Sequence, residues 1–236
     1  MATTISLPQK LRADDVFFPA MGLLILSIVV VGFAHTYFLA GMLRARLPST
    51  LVHIHGALFI SWICLLTIQP FLVAIGRVTW HKALGMFGVI LPPLLVVFGV
   101  LTLFAFIRRT GTDADVPPEL LLAGDLEELA LFVVLTSWAL LARHRAASHK
   151  RLMIMGTMAM LGPAVARWPI PFSPIGTICI QLGLPLLVVI YDLWSGQRVH
   201  RSTTIAFALI AVGLLAVFPV SGLGFWQPLI AWIRDT

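Results

Sequence analysis

Charged side chains are scarce in this chain: only 11% of its 236 residues are Asp, Glu, Lys or Arg, whereas 59% are hydrophobic. A soluble domain of this length needs far more charge to cover its surface, so the surrounding solvent is largely lipid. The mean hydropathy of +0.99 agrees. Cysteine is nearly absent too. Cys64 and Cys179 each sit inside an apolar run with no C-x-x-C spacing, which excludes a disulfide framework, and both read as small buried hydrophobes. There is no glycine-rich phosphate loop and no Ser/His/Asp arrangement around a nucleophile turn. The amino-terminal stretch lacks a short apolar core followed by a small-residue cleavage site. Its first apolar run is long enough to span a bilayer, so it is expected to be retained.

What is present is a series of long apolar runs. A spanning helix needs about 20 apolar residues, and seven candidates meet the need: 17–41, 52–75, 83–107, 121–142, 150–167, 174–194 and 204–222. The expected fold is an all-α integral membrane protein of one transmembrane domain, 1–236. Its core bundle is 52–167, with the first helix (17–41) and the last two (174–222) peripheral. The fifth run is short and carries Pro163, and a proline-rich turn, Arg167-Trp-Pro-Ile-Pro-Phe-Ser-Pro174, precedes the sixth. The tail Gly224–Ile233, with Trp226 and Trp232, reads as a segment lying at the interface. Trp80, Trp168 and Trp194 fall at run boundaries, as an aromatic belt requires.

The net charge of +6 does not point to nucleic acid, because the basic residues sit in short loops between apolar runs. Lys10, Arg12, Arg77, Lys82, Arg143, Arg145, Lys150, Arg151, Arg198 and Arg201 fall on the amino-terminal side. Arg44, Arg46, Arg108, Arg109, Arg167 and Arg234 fall on the other. This bias predicts a cytoplasmic N-terminus and an external C-terminus. The loop Arg108–Gly124, with Asp113, Asp115 and Glu119, would lie outside. An internal repeat is also visible: His81-Lys82-x-Leu84-x-x-x-Gly88 matches His149-Lys150-x-Leu152-x-x-x-Gly156, and His55-Gly-Ala-Leu-Phe59 matches Glu128-Leu-Ala-Leu-Phe132. Helices two–three and four–five would then form a pseudo-symmetric four-helix core.

Ionisable groups inside a membrane are functional candidates by default. His81 and His149 enter the bundle at the same depth from two helices. Two such imidazoles can hold a haem iron axially, with Gly85 and Gly88 making room for the porphyrin. Equally, both can be interfacial residues beside lysine. A second cluster at the outer end comprises His35, His53, His55, Asp125, Glu127, Glu128 and Arg167. His35, His53, His55, Asp125 and Glu128 offer imidazole and carboxylate ligands for a divalent transition metal such as zinc, with an open position for water. They can instead serve a proton or substrate relay, or pair with Arg108 or Arg167 and cap helix ends. His55, Phe59, Trp62, Leu66 and Gln69 share one helical stripe, which His53 cannot join. Met153, Met155, Met158 and Met160 read as packing rather than copper ligands.

His55-Gly-Ala-Leu-Phe-Ile-Ser-Trp62, with Pro70 downstream, resembles the H-G-x-L-x-x-x-W opening of the core in transmembrane ascorbate-reductase-type b cytochromes. His81-Lys-Ala-Leu-Gly85 resembles their H-R-x-L-G helix start. The resemblance covers roughly residues 53–156 and implies haem b held by histidines on consecutive helices. The H-K-x-L-G motif falls one helix early here, and Glu128 stands where a ligand histidine is wanted. The resemblance therefore implies one haem, on His81 and His149, rather than two. The whole-chain pattern is also similar to uncharacterised bacterial multi-pass membrane proteins, which implies a bacterial inner membrane and names no activity. Three functions follow as expectations: haem-based electron transfer to a quinone or a redox partner subunit, a metal-dependent membrane hydrolase, and a non-catalytic assembly factor or transporter.

Overall fold

The computed structural model describes residues 12–39, 49–109, 116–169 and 174–235. Lys10, Arg44, Arg46, Asp113 and Asp115, named above for their charge, lie outside these stretches. The described residues are helical throughout, with no strand among them. The elements are α1 (Ala13–Phe33), continued by a π-helical turn (Ala34–Phe38), then α2 (Thr50–Ala74), α3 (Val78–Gly85), α4 (Phe87–Arg109) and α5 (Pro118–Leu141). They continue with α6 (Ala146–Met158), α7 (Gly162–Val165), α8 (Pro174–Gly196), α9 (Arg201–Ser221) and α10 (Trp226–Asp235).

Five helical segments are long and apolar enough to cross a membrane: Ala13–Phe38, Thr50–Ala74, Val78–Arg109, Ile175–Gly196 and Arg201–Ser221. The other two expected runs differ. The run at 121–142 becomes α5, which is long but carries Glu119, Asp125, Glu127 and Glu128. The run at 150–167 breaks into α6 and α7. The break has a local cause, since Gly162-Pro163 removes a backbone donor and weakens helix continuation. It also has a packing cause. Arg151, Leu152, Ile154 to Gly162, Ala164 and Val165 are buried, so α6 and α7 are enclosed by other helices rather than by solvent.

Neighbours run antiparallel. Gly22 of α1 packs on Thr67 of α2, and Gly156 of α6 packs on Leu135 and Thr136 of α5. Gly32 is needed where it stands, because a Cβ there would overlap the Ala164 carbonyl. The principal core combines Ile25, Trp62, Ile63, Phe132, Leu135, Met155 and Leu161. Trp62 stands edge-on to Phe132, with ring centres 5.4 Å apart, and its Nε1 donates to Thr157 Oγ1 over 3.1 Å. Met155, Met158 and Met160 are core, as expected. Cys64 and Cys179 are not; both are exposed on the outer surface of the bundle. Cys64 lies across α2 from the buried Trp62, Ile63, Leu66 and Thr67.

Large apolar side chains cover that outer surface. Leu141, Ile175, Val212 and Leu215 are all at least 63% exposed. An apolar exterior of this extent fits a hydrocarbon solvent. Trp80, Trp194 and Trp232 are more than half exposed, near helix ends. The tail is α10, whose Trp226, Ile230 and Ile233 bury against Leu103, Ile107, Leu122 and Ala123.

Candidate functional site

The two expected clusters lie at opposite ends of the bundle. At the amino-terminal end, α2 closes with a Schellman turn. Gly76 adopts φ +75°, its N–H donates to the Val73 carbonyl, and Arg77 N–H donates to the Leu72 carbonyl over 2.7 Å. The chain then re-enters as α3 with His81 one turn in. The same local plan recurs at α6. Arg77 and Arg145 are the N-caps, and His81 and His149 each donate a backbone N–H to that cap's carbonyl, over 3.1 and 3.0 Å. The His-Lys half of the repeat thus has a structural counterpart.

The His81 and His149 rings meet with their centres 6.4 Å apart and their planes at 87°. His149 is oriented by its Nδ1, which lies 2.8 Å from the Ala139 carbonyl of α5. That bond makes Nδ1 the protonated nitrogen and Nε2 the basic one. The His81 ring reaches the Gln69 backbone, while its Nδ1 is buried with no partner. Such a nitrogen is costly to leave unmet. Helix α3 packs chiefly on α2 and α4, and the two imidazoles meet edge to face. A Cβ at Gly85 would meet only Gln69 Nε2, at 3.8 Å, and one at Gly88 only Leu65 Cδ2, at 3.9 Å. A methyl group at either position would thus make ordinary packing contact. Gly156 is tighter, being pressed onto Leu135 and Thr136 at 3.1 Å.

Were a haem bound here, His81 and His149 are the residues that would hold its iron, and it would supply one-electron transfer.

At the opposite end the expected metal ligands are dispersed. His35 is exposed on the π-helical turn, and His53 Nδ1 is engaged by Tyr37 Oη at 3.1 Å. His55 stacks on Phe59 and leaves its buried Nδ1 without a partner. Asp125 and Glu128 lie on α5, within electrostatic range of Arg167 but in no direct ion pair with it among the described residues. Arg167 instead donates to the Pro163 carbonyl over 2.7 Å and stands over the Phe33 ring. Arg108 donates Nε to the Ile233 carbonyl over 2.8 Å. Among the described residues no three His, Cys, Asp or Glu side chains converge on a metal position. The histidines of this cluster face different neighbours.

Glu128 has partners that the sequence did not suggest. Gln181 Nε2 of α8 donates to its Oε1 over 2.8 Å, and the Gly162 N–H that opens α7 donates to it as well. Also unanticipated is the Arg151–Asp192 pair at the amino-terminal end. Arg151 Nε and a terminal nitrogen reach Asp192 Oδ1 over 2.8 and 2.6 Å, while Thr203 Oγ1 and His200 N–H donate to Oδ2. Comparison with family models, curated proteins and solved structures finds no match to this chain.

Proposed function

We propose that the chain is a bacterial inner-membrane b-type haem protein with His81 and His149 as axial ligands. The observation that carries this reading is the 6.4 Å ring pair, formed by helices that otherwise barely touch. A bound haem supplies one-electron transfer. The chain's own residues fix the ligands: Ala139 holds the His149 tautomer, the Gly76 turn sets the depth of His81, and the enclosed α6 gives a rigid ligand wall. A single haem is favoured, because His55 faces no second histidine at the other end. The electron partner is a quinone or another subunit.

The seven passes of the expected topology comprise the five apolar segments, the partly exposed α5 and the enclosed α6–α7 pair. The excess of Lys and Arg at the amino-terminal end favours a cytoplasmic N-terminus. The test is a reduced-minus-oxidised visible spectrum of protein purified in mild detergent from a haem-replete host. Sharp b-type bands are expected in the wild type and lost in His81→Ala and in His149→Ala. A colourless wild type, or bands that persist in both variants, overturns the assignment.

A further inference from the structure

The amino-terminal end holds a second feature that the haem reading does not use. A cavity of about 310 Å³ opens between α1, α6, α8 and the start of α9. Arg12, Lys150 and Arg151 line it, against one lining carboxylate, Asp14. Ala13, Ala147 and His200, in the first turn or at the N-cap of α1, α6 and α9, also line it. Basic side chains therefore outnumber the acid at this opening.

The cations are held in place rather than waving in solvent. Arg151 is 8% exposed and clamped between Asp192 and the Ala147 carbonyl. Lys150 pairs with Asp14 and lies 4.7 Å from the Phe18 ring centre. Asp14 in turn accepts from Tyr191 Oη over 2.7 Å, and Tyr191 stacks on Phe17 at 3.8 Å. Arg12 is exposed at the rim. Beside the opening, Val16 of α1 is 59% exposed and Trp194 of α8 is 73% exposed. Apolar and tryptophan side chains so placed mark the depth at which lipid begins.

We infer that this cavity binds the phosphate of an anionic phospholipid headgroup from the adjoining leaflet, with Arg12 closing over it from the rim. The basic lining favours a phosphate diester. The lipid-facing flank admits its acyl chains, and the volume suits a headgroup rather than a bare ion. Zwitterionic lipid carries the same phosphate but adds a cation, which the exposed Arg12 disfavours.

The experiment measures thermal unfolding of the purified full chain in neutral detergent. Its three additives are short-chain phosphatidylglycerol, phosphatidylcholine of the same chain length, and inorganic phosphate. Phosphatidylglycerol at ten times its dissociation constant is expected to raise Tm by about 4 °C, with the other two giving no rise. R12Q and A147E, each compared with its own baseline, should lose that rise; A147E puts a carboxylate at the mouth and leaves every clamp intact. An equal rise with phosphatidylcholine, or a full rise in both variants, overturns the site. A rise with inorganic phosphate as large as with phosphatidylglycerol overturns the lipid source and assigns the cavity to free phosphate.

Discussion

Arg151 and Asp192 are the residues whose loss should be felt most. Asp192 is 1% exposed and accepts from Arg151, Thr203 and the His200 N–H, so removing the guanidinium leaves a buried carboxylate with no counter-charge. Arg151→Ala should cost about 3–5 kcal/mol of stability, read as a lowered unfolding temperature in detergent. Glycine substitutions separate two situations. A Cβ at Gly162 would overlap the Glu128 carboxylate and the Gln181 amide, whereas one at Gly183 would meet nothing within 4 Å. Gly162→Ala should therefore destabilise by about 1–3 kcal/mol. Gly183→Ala, inside α8, should be neutral or slightly stabilising by helix propensity. Equal losses at both sites would show that the Glu128–Gln181 contact does not confine Gly162.

At the level of elements, the stripe His55, Phe59, Trp62, Leu66 and Gln69 keeps one face of α2, with Trp62 and Leu66 fully inside. That pattern was readable because helical periodicity is local. So was the His-Lys start of α3 and α6, where each imidazole falls one turn beyond an arginine cap. The break between α6 and α7 was only half readable. Gly162-Pro163 marks it, but the enclosure of α6 depends on α1, α5 and α9 packing around it. Gln181 and Asp192 were not readable as partners, since they meet Glu128 and Arg151 from 53 and 41 residues away, and no local spacing encodes such a meeting. Of the expected metal ligands, His53 and His55 sit on different sides of α2, as their two-residue spacing requires. One bond tests the α2–α6 seam. Trp62→Phe removes the donor to Thr157 and should cost about 1–2 kcal/mol, while His81→Ala should leave that seam's stability unchanged.

For the whole molecule, the proposed seven passes would put the two chain ends on opposite faces. A reporter that works only outside the cytoplasm should be active when fused after Thr236 and silent when fused ahead of Met1; activity at both ends would remove the seven-pass topology. The enclosed helices also constrain how such a chain enters a bilayer. Helix α5 carries four carboxylates, and α6 has thirteen residues beginning beside His149, Lys150 and Arg151. Neither belongs among the five segments apolar enough to partition alone, and each buried acid or base adds about 2.5–3.5 kcal/mol against solitary insertion. On the proposed seven-pass topology, the hairpin that carries Glu128 and His149 would enter the bilayer together with its neighbours rather than alone.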